Sequence, residues 1–224
     1  MTLDDMKRAS ANAALEYVPT GATIGVGTGS TAELFIEELA ARPGLIAAAV
    51  ASSEASAAAL RAAGIRVVDP AAAPYPLPLY VDGADEVDPE LRLIKGRGGA
   101  HTCEKVLAAA AELFVCIVDE TKLVDHLGRG PVPLEVVPWA RPLVARRLTA
   151  LGVTVAERPG FVTDNGNAVL DATGLDLSDP EGLELELDAI PGVVECGIFA
   201  RRRADVVLAG AAGGVRRLSG RRTP

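Results

Sequence analysis

Three short stretches of this 224-residue chain carry side chains that could do chemistry together. The first is Gly25-Val26-Gly27-Thr28-Gly29-Ser30-Thr31, where glycines alternate with hydroxyl residues. Glycine tolerates positive φ and lets the backbone come close, so several N–H groups can converge on one anion. A helix beginning here would add its dipole, and Thr28, Ser30 and Thr31 would add hydroxyl donors. A phosphate fits that chemistry; a plain capped turn would need one glycine and one hydroxyl, not three of each. The second stretch, Tyr80-Val81-Asp82-Gly83-Ala84-Asp85-Glu86-Val87-Asp88, crowds acids at the end of an apolar run. Such a cluster can be a solvated turn or an oxygen-rich cation site, although its spacing does not match a twelve-residue calcium loop. The third is Lys95-Gly96-Arg97-Gly98-Gly99-Ala100-His101-Thr102-Cys103-Glu104-Lys105. Its glycines form a second amide nest with Lys95 as a fixed cation, and Glu104 falls in the first turn of the helix that follows. Alone, a first-turn glutamate is a partner for the helix dipole.

Other chemistries fit less well. Gly27-Thr28-Gly29-Ser30-Thr31-Ala32 matches the dinucleotide pattern G-x-G-x-x-A, but the ribose-reading acid due about twenty residues later is missing. The next strand ends in Ser52-Ser53, with Glu54 the nearest acid. No lysine follows the loop as a nucleotide-phosphate motif requires. His101, Cys103 and Glu104 lie too close in sequence to converge on a metal. Cys103, Cys116 and Cys196 are odd in number and lack C-x-x-C spacing, which argues against a disulfide framework or a zinc knuckle. No metal and no cofactor is expected.

These stretches need elements to hold them. Residues 3–18 read as a helix, with Thr2 and Asp5 at capping spacing. Strands are expected at 22–26, 46–51, 65–68, 78–82 and 113–118, with helices at 31–41, 54–63 and 102–112. That alternation means βαβ units, a doubly wound, mainly parallel, Rossmann-like sheet, and ligands beyond its strands' carboxyl ends. From Pro131 the pattern becomes strand 134–137, helix 141–151, strands 153–157 and 168–171, helix 180–189 and strand 193–199, a ferredoxin-like α+β order. Asp164-Asn165-Gly166-Asn167 reads as the hairpin turn between its middle strands, and 205–209 returns to the first sheet. The expected domains are 1–131 with 205–224, and an inserted 132–204.

Only 4% of residues are aromatic, so Ala, Val, Leu and Ile must build the cores. A net charge of -8 argues against broad nucleic-acid binding. Arg201-Arg202-Arg203 reads as a solvated loop, and Arg216, Arg217, Arg221 and Arg222 as a frayed terminus. No apolar run approaches a membrane span, and MTLDDMKRAS lacks a secretion signal's layout, so no membrane partner and a cytoplasmic setting are expected.

With these motifs in place, the chain resembles the type A ribose-5-phosphate isomerases. The matching blocks are GVGTGSTA (25–32), SSEAS (52–56), YVDGADEVD (80–88), IKGRGGAHTCEK (94–105), VDETKLVDHLG (118–128), PLEVVP (133–138), TDNGN (163–167) and IPGVVECGIFA (190–200). The resemblance implies interconversion of D-ribose 5-phosphate and D-ribulose 5-phosphate, in the non-oxidative pentose phosphate pathway, by a metal-free homodimer or homotetramer. It implies Glu104 as the base, with Asp82, Asp85 and Lys95 handling ring opening and the sugar's O1 and O2. Lys7, Thr28, Gly29, Ser30, Thr31, Gly83, Ala84, Gly96, Arg97, Gly98 and Lys122 are implied to bind substrate. His101 and Cys103 depart from the family pattern; His101 reads as a solvent-facing helix cap. A non-catalytic sugar-phosphate sensor, a sugar-phosphate deaminase and a CoA transferase are the rival readings.

Overall fold

The structure of the protein, a computed structural model, describes residues 1–220. Arg221 and Arg222, part of the expected frayed terminus, lie outside the described residues. The chain divides into two compact units, Met1–Ala84 with Cys103–Leu123 and Ala204–Pro224, and Asp85–Thr102 with Val124–Arg203.

In chain order, α1 (Leu3–Ala13), β1 (Thr23–Val26), α2 (Ser30–Ala40), β2 (Ala48–Ala51), α3 (Glu54–Ala62) and β3 (Tyr80–Asp82) begin the first unit. The short strands β4 (Glu86–Val87) and β5 (Leu93–Ile94) belong to the second. Helix α4 (His101–Ala110) starts in the second unit and continues in the first, where β6 (Phe114–Asp119) follows. The second unit then takes β7 (Val132–Val136), α5 (Arg141–Ala150), β8 (Thr154–Glu157), β9 (Ala168–Thr173), α6 (Pro180–Asp188), β10 (Val193–Cys196) and β11 (Ile198–Phe199). Finally β12 (Val206–Ala211) and β13 (Gly214–Ser219) return to the first.

The first unit is the doubly wound sheet, in the order β13-β12-β6-β3-β1-β2. Its pairings are parallel except β12–β13, which is antiparallel. All of β3, β6 and β12 is buried, as expected of parallel strands covered on both faces. Ile24, Val26, Phe35, Leu79, Val81, Val115, Ile117 and Leu208 make its core. Helix α1 starts at a capping box between Thr2 and Asp5, then tightens into a 3-10 turn at Ala14–Tyr17. It lies so close to β12 that a Cβ on Gly210 would sit 1.8 Å from the Met6 carbonyl oxygen. A glycine there is what lets α1, and Lys7 with it, settle onto the sheet.

The second unit carries the antiparallel sheet β10-β7-β9-β8, the order of a ferredoxin-like β-α-β-β-α-β run. A separate three-stranded sheet, β11-β5-β4, completes it. Leu134, Val136, Val144, Leu148, Leu170, Leu187 and Ile198 form its core.

Three local expectations fail for physical reasons. Residues 65–68 make only a single bridge, Ala49 to Val67, because a 3-10 turn begins at Pro70, whose nitrogen has no hydrogen to donate. The run 193–199 breaks at Gly197 into β10, paired with β7, and β11, paired with β5. Arg216 and Arg217 are not frayed; they lie in β13, with the Arg217 guanidinium 5.0 Å over the Tyr17 ring.

Candidate active site

In the first unit the glycine-rich turn joins β1 to α2, at the carboxyl end of the parallel strands. Of its glycines only Gly29, the N-cap of α2, has positive φ, at 109°. Gly25 and Gly27 answer a different need, which is close approach. A Cβ on Gly27 would lie 1.9 Å from Asp82 Cγ, so the turn is pressed against that carboxylate. Asp82 Oδ1 accepts from the amides of Thr28 (3.0 Å) and Gly83 (2.7 Å), and its Oδ2 accepts from the Tyr80 hydroxyl. The Thr28 hydroxyl lies 2.8 Å from those of Ser52 and Ser53, while Ser56 donates to the Gly27 carbonyl at 2.7 Å. Ser30 is exposed, Thr31 is buried, and Lys7 Nζ donates to Ser30 Oγ at 3.1 Å. A lysine, a hydroxyl and a helix N-terminus thus meet at one point, the chemistry an anionic group requires.

Glu104 lies in the first turn of α4 and is only 4% exposed. Burial, and then the negative charges of Asp82 and Glu104, push the Tyr80 phenol well above its ordinary value. Lys122 ends a 3-10 turn capped by the Asp119 side chain. Gly83 and Ala84 are half-buried just past β3.

The remaining expected residues lie in the second unit. Asp85 Oδ2 accepts from the Arg97 amide at 2.9 Å, with Arg97 Nε 3.7 Å from Oδ1. Lys95 is 3% exposed, and its ammonium sits 5.6 Å from the centre of the Phe199 ring. Gly96 has φ 105°, whereas Arg97 and Gly98 are exposed. Arg158 donates to the carbonyls of Gly96 and Arg97 while paired with Asp171 at 2.6 Å, which fixes the nest from behind.

His101 overturns its expected role. It is fully buried, not solvent-facing, and its Nε2 lies 3.1 Å from both the Glu135 amide nitrogen and the Glu195 carbonyl oxygen. Packing decides this, because a Cβ on Gly96 would come within 2.7 Å of His101 Nδ1. Glu135 is buried as well and collects donors from Thr102, Thr163 (2.8 Å), Asn165 (3.1 Å) and Asn167 (2.8 Å). Burial pushes its pKa up, but hydrogen bonds from Thr102, Asn167, Thr163 and Asn165 outweigh it and hold the group below the ordinary glutamate value. Asn165 and Asn167, read as turn formers, are thus also ligands of an acid.

Sequence reasoning passed over Tyr80, Ser52, Ser56 and Glu135. Each stands inside a quoted block, but nothing in its type or spacing marked it. Among the described residues one group sets metal-type ligand atoms within 4.8 Å of one another: Asp188, Glu195 and Cys196. There both carboxylates accept from the Cys196 amide.

Residues 48–214 match the family model of ribose 5-phosphate isomerase A, also called phosphoriboisomerase A. The chain belongs to the ribose 5-phosphate isomerase A family. Within the family, the Bordetella avium protein named ribose-5-phosphate isomerase A is 53% identical over 98% of this chain and 99% of its own. The crystal structure of ribose 5 phosphate isomerase A from Neisseria gonorrhoeae is 44% identical, with a TM-score of 0.95 over 97% of each chain. A solved D-ribose-5-phosphate isomerase in complex with phospho-erythronic acid is 38% identical, with a TM-score of 0.94 over 98% of this chain and 100% of that one.

Proposed function

We propose that the protein interconverts D-ribose 5-phosphate and D-ribulose 5-phosphate through an enediolate, with Glu104 as the base. In the open-chain aldose, Glu104 takes the proton from C2. The electrons left behind form the C1–C2 double bond, and negative charge develops on O1. A proton passes from O2 to O1, and Glu104 returns its own proton to C1. One carboxylate suffices because the two carbons are bonded neighbours. The amide nest at Gly96 to Gly98 and the Lys95 ammonium are assigned to the oxygens, where stabilising the developing charge is often the larger effect. Asp82 and Asp85 are assigned to ring opening. Lys7, Thr28, Gly29, Ser30 and Thr31 hold the phosphate, Lys122 a further contact, and Gly83, Ala84 and Arg97 complete the binding segments. Holding the remote end converts binding energy into orientation at C1 and C2.

The observation that supports this reading is that Asp82, at the end of β3, accepts from the Thr28 amide of the glycine turn, while Glu104 is buried in the first turn of α4 in the same unit. The ligand of the solved relative supports it as well: phospho-erythronic acid is a phosphorylated four-carbon acid, and its carboxylate presents paired oxygens as an enediolate does. The reading extends to a homodimer or homotetramer working in the cytoplasm; no helix among the described residues is long and apolar enough to cross a membrane.

The test is turnover of ribose 5-phosphate by purified protein. Glu104→Gln should lower kcat by at least about 100-fold, the scale of general acid–base catalysis, while the sugar phosphate still binds. Near-native turnover in that variant would remove Glu104 from the role, and no turnover by the wild type would leave a sensor.

A further inference from the structure

The proposed mechanism gives no task to the phenol of Tyr80. Its side chain is fully buried in β3, with its ring centre 5.1 Å from that of Phe114. The Gly25 backbone presses on it so closely that a Cβ there would sit 2.8 Å from Cδ2. Phenylalanine would serve all of these apolar contacts. A hydroxyl in such a place costs free energy unless it is paired, so its presence calls for a reason. The pairing is specific: Oη donates to Asp82 Oδ2, and the Ser52 side chain hydrogen-bonds the same hydroxyl. Asp82 Oδ1 accepts from the Thr28 and Gly83 amides, and the Tyr80 hydroxyl donates to the other oxygen.

We propose that Tyr80 is a positioning residue for the isomerisation, its hydroxyl fixing the Asp82 carboxylate against the turn that binds phosphate. The proposal rests on the role given above to Asp82. Ring opening asks Asp82 to meet the sugar at one angle, and the Tyr80 hydroxyl adds a hold on Oδ2 to the two amides on Oδ1. Both charged groups that bear on the hydroxyl, Asp82 and Glu104, together with burial, disfavour its ionisation. The phenol therefore stays a donor, and the bond to Asp82 runs in one direction only. Ser52, hydroxyl-paired with Thr28 at 2.8 Å, ties the tyrosine back to the same turn.

The experiment compares wild type, Tyr80→Phe, Asp82→Asn and the double variant with ribose 5-phosphate, reading kcat and KM, with thermal melting as a check of folding. Tyr80→Phe should lower kcat by about tenfold or more, the scale of lost orientation, with KM changed by less. In the Asp82→Asn background the same change should cost less than about twofold, since residues acting through one another are not additive. An equal loss in both backgrounds, or a Phe variant with wild-type kcat, overturns the proposal. Asp82→Asn at the wild-type rate would remove Asp82 from the mechanism, and with it the reading on which Tyr80 depends. Should Tyr80→Phe fail to fold, Ser52→Ala carries the test: it leaves the ring in place, and a wild-type kcat there counts against the proposal.

Discussion

At the scale of single residues, the tightest point in the first unit is where Gly27 meets Asp82. A methyl group on Gly27 would lie 1.9 Å from Cγ, and the carboxylate cannot retreat while Thr28, Gly83 and Tyr80 hold it. Gly27→Ala should therefore push turn and strand apart, costing about 1–3 kcal/mol as overpacking does and lowering kcat/KM for ribose 5-phosphate. Denaturant melts and initial rates would show it; a variant with unchanged stability would mean that the turn can shift. The sequence announced three glycines here without saying what each was for. Positive φ explains Gly29, but Gly27 is required by a residue 55 positions later in the chain, which no local pattern records. Glu104 could be placed at a helix start, but a role as base came only from the resemblance to the family. Tyr80 was not legible, because a tyrosine in an apolar strand reads as core until its hydroxyl is seen to face an acid.

At the scale of elements, the network around Glu135 ties β7, the loop before β9 and the first turn of α4 together inside the second unit. Thr102, one of its donors, stands two residues before Glu104 in that helix. The periodic elements were readable from apolar spacing, and the ferredoxin-like order followed from them. The buried acid was not readable, since its partners come from two segments distant from it in the chain. Its pKa lies below the ordinary glutamate value, so the stability it contributes is full above that value and is lost as pH falls through the folded one. Glu135→Gln should cost about 1–3 kcal/mol near neutrality, the penalty for mismatched buried partners. The gap to wild type should narrow as pH drops below the glutamate range. Urea melts across that range would decide; a gap independent of pH would mean that the charge contributes nothing.

At the scale of the whole molecule, the two units have separate cores, but the chain passes between them four times, at 84/85, 102/103, 123/124 and 203/204. One passage falls inside α4, between Thr102 and Cys103, so the helix that carries Glu104 begins on one unit's network and continues in the other's. Melting the second unit should release that first turn and stop turnover while the parallel sheet is still folded. Leu134→Ala provides the test, because Leu134 is fully buried in the second core and has no part in the proposed chemistry. The truncation should cost about 2–5 kcal/mol and leave kcat at low temperature near its wild-type level. The midpoint of thermal inactivation should fall together with the second unit's melting midpoint, the two read by residual activity and circular dichroism on the same samples. Activity that outlasts the loss of the antiparallel sheet would show that α4 holds Glu104 in place without the contacts of its first two residues.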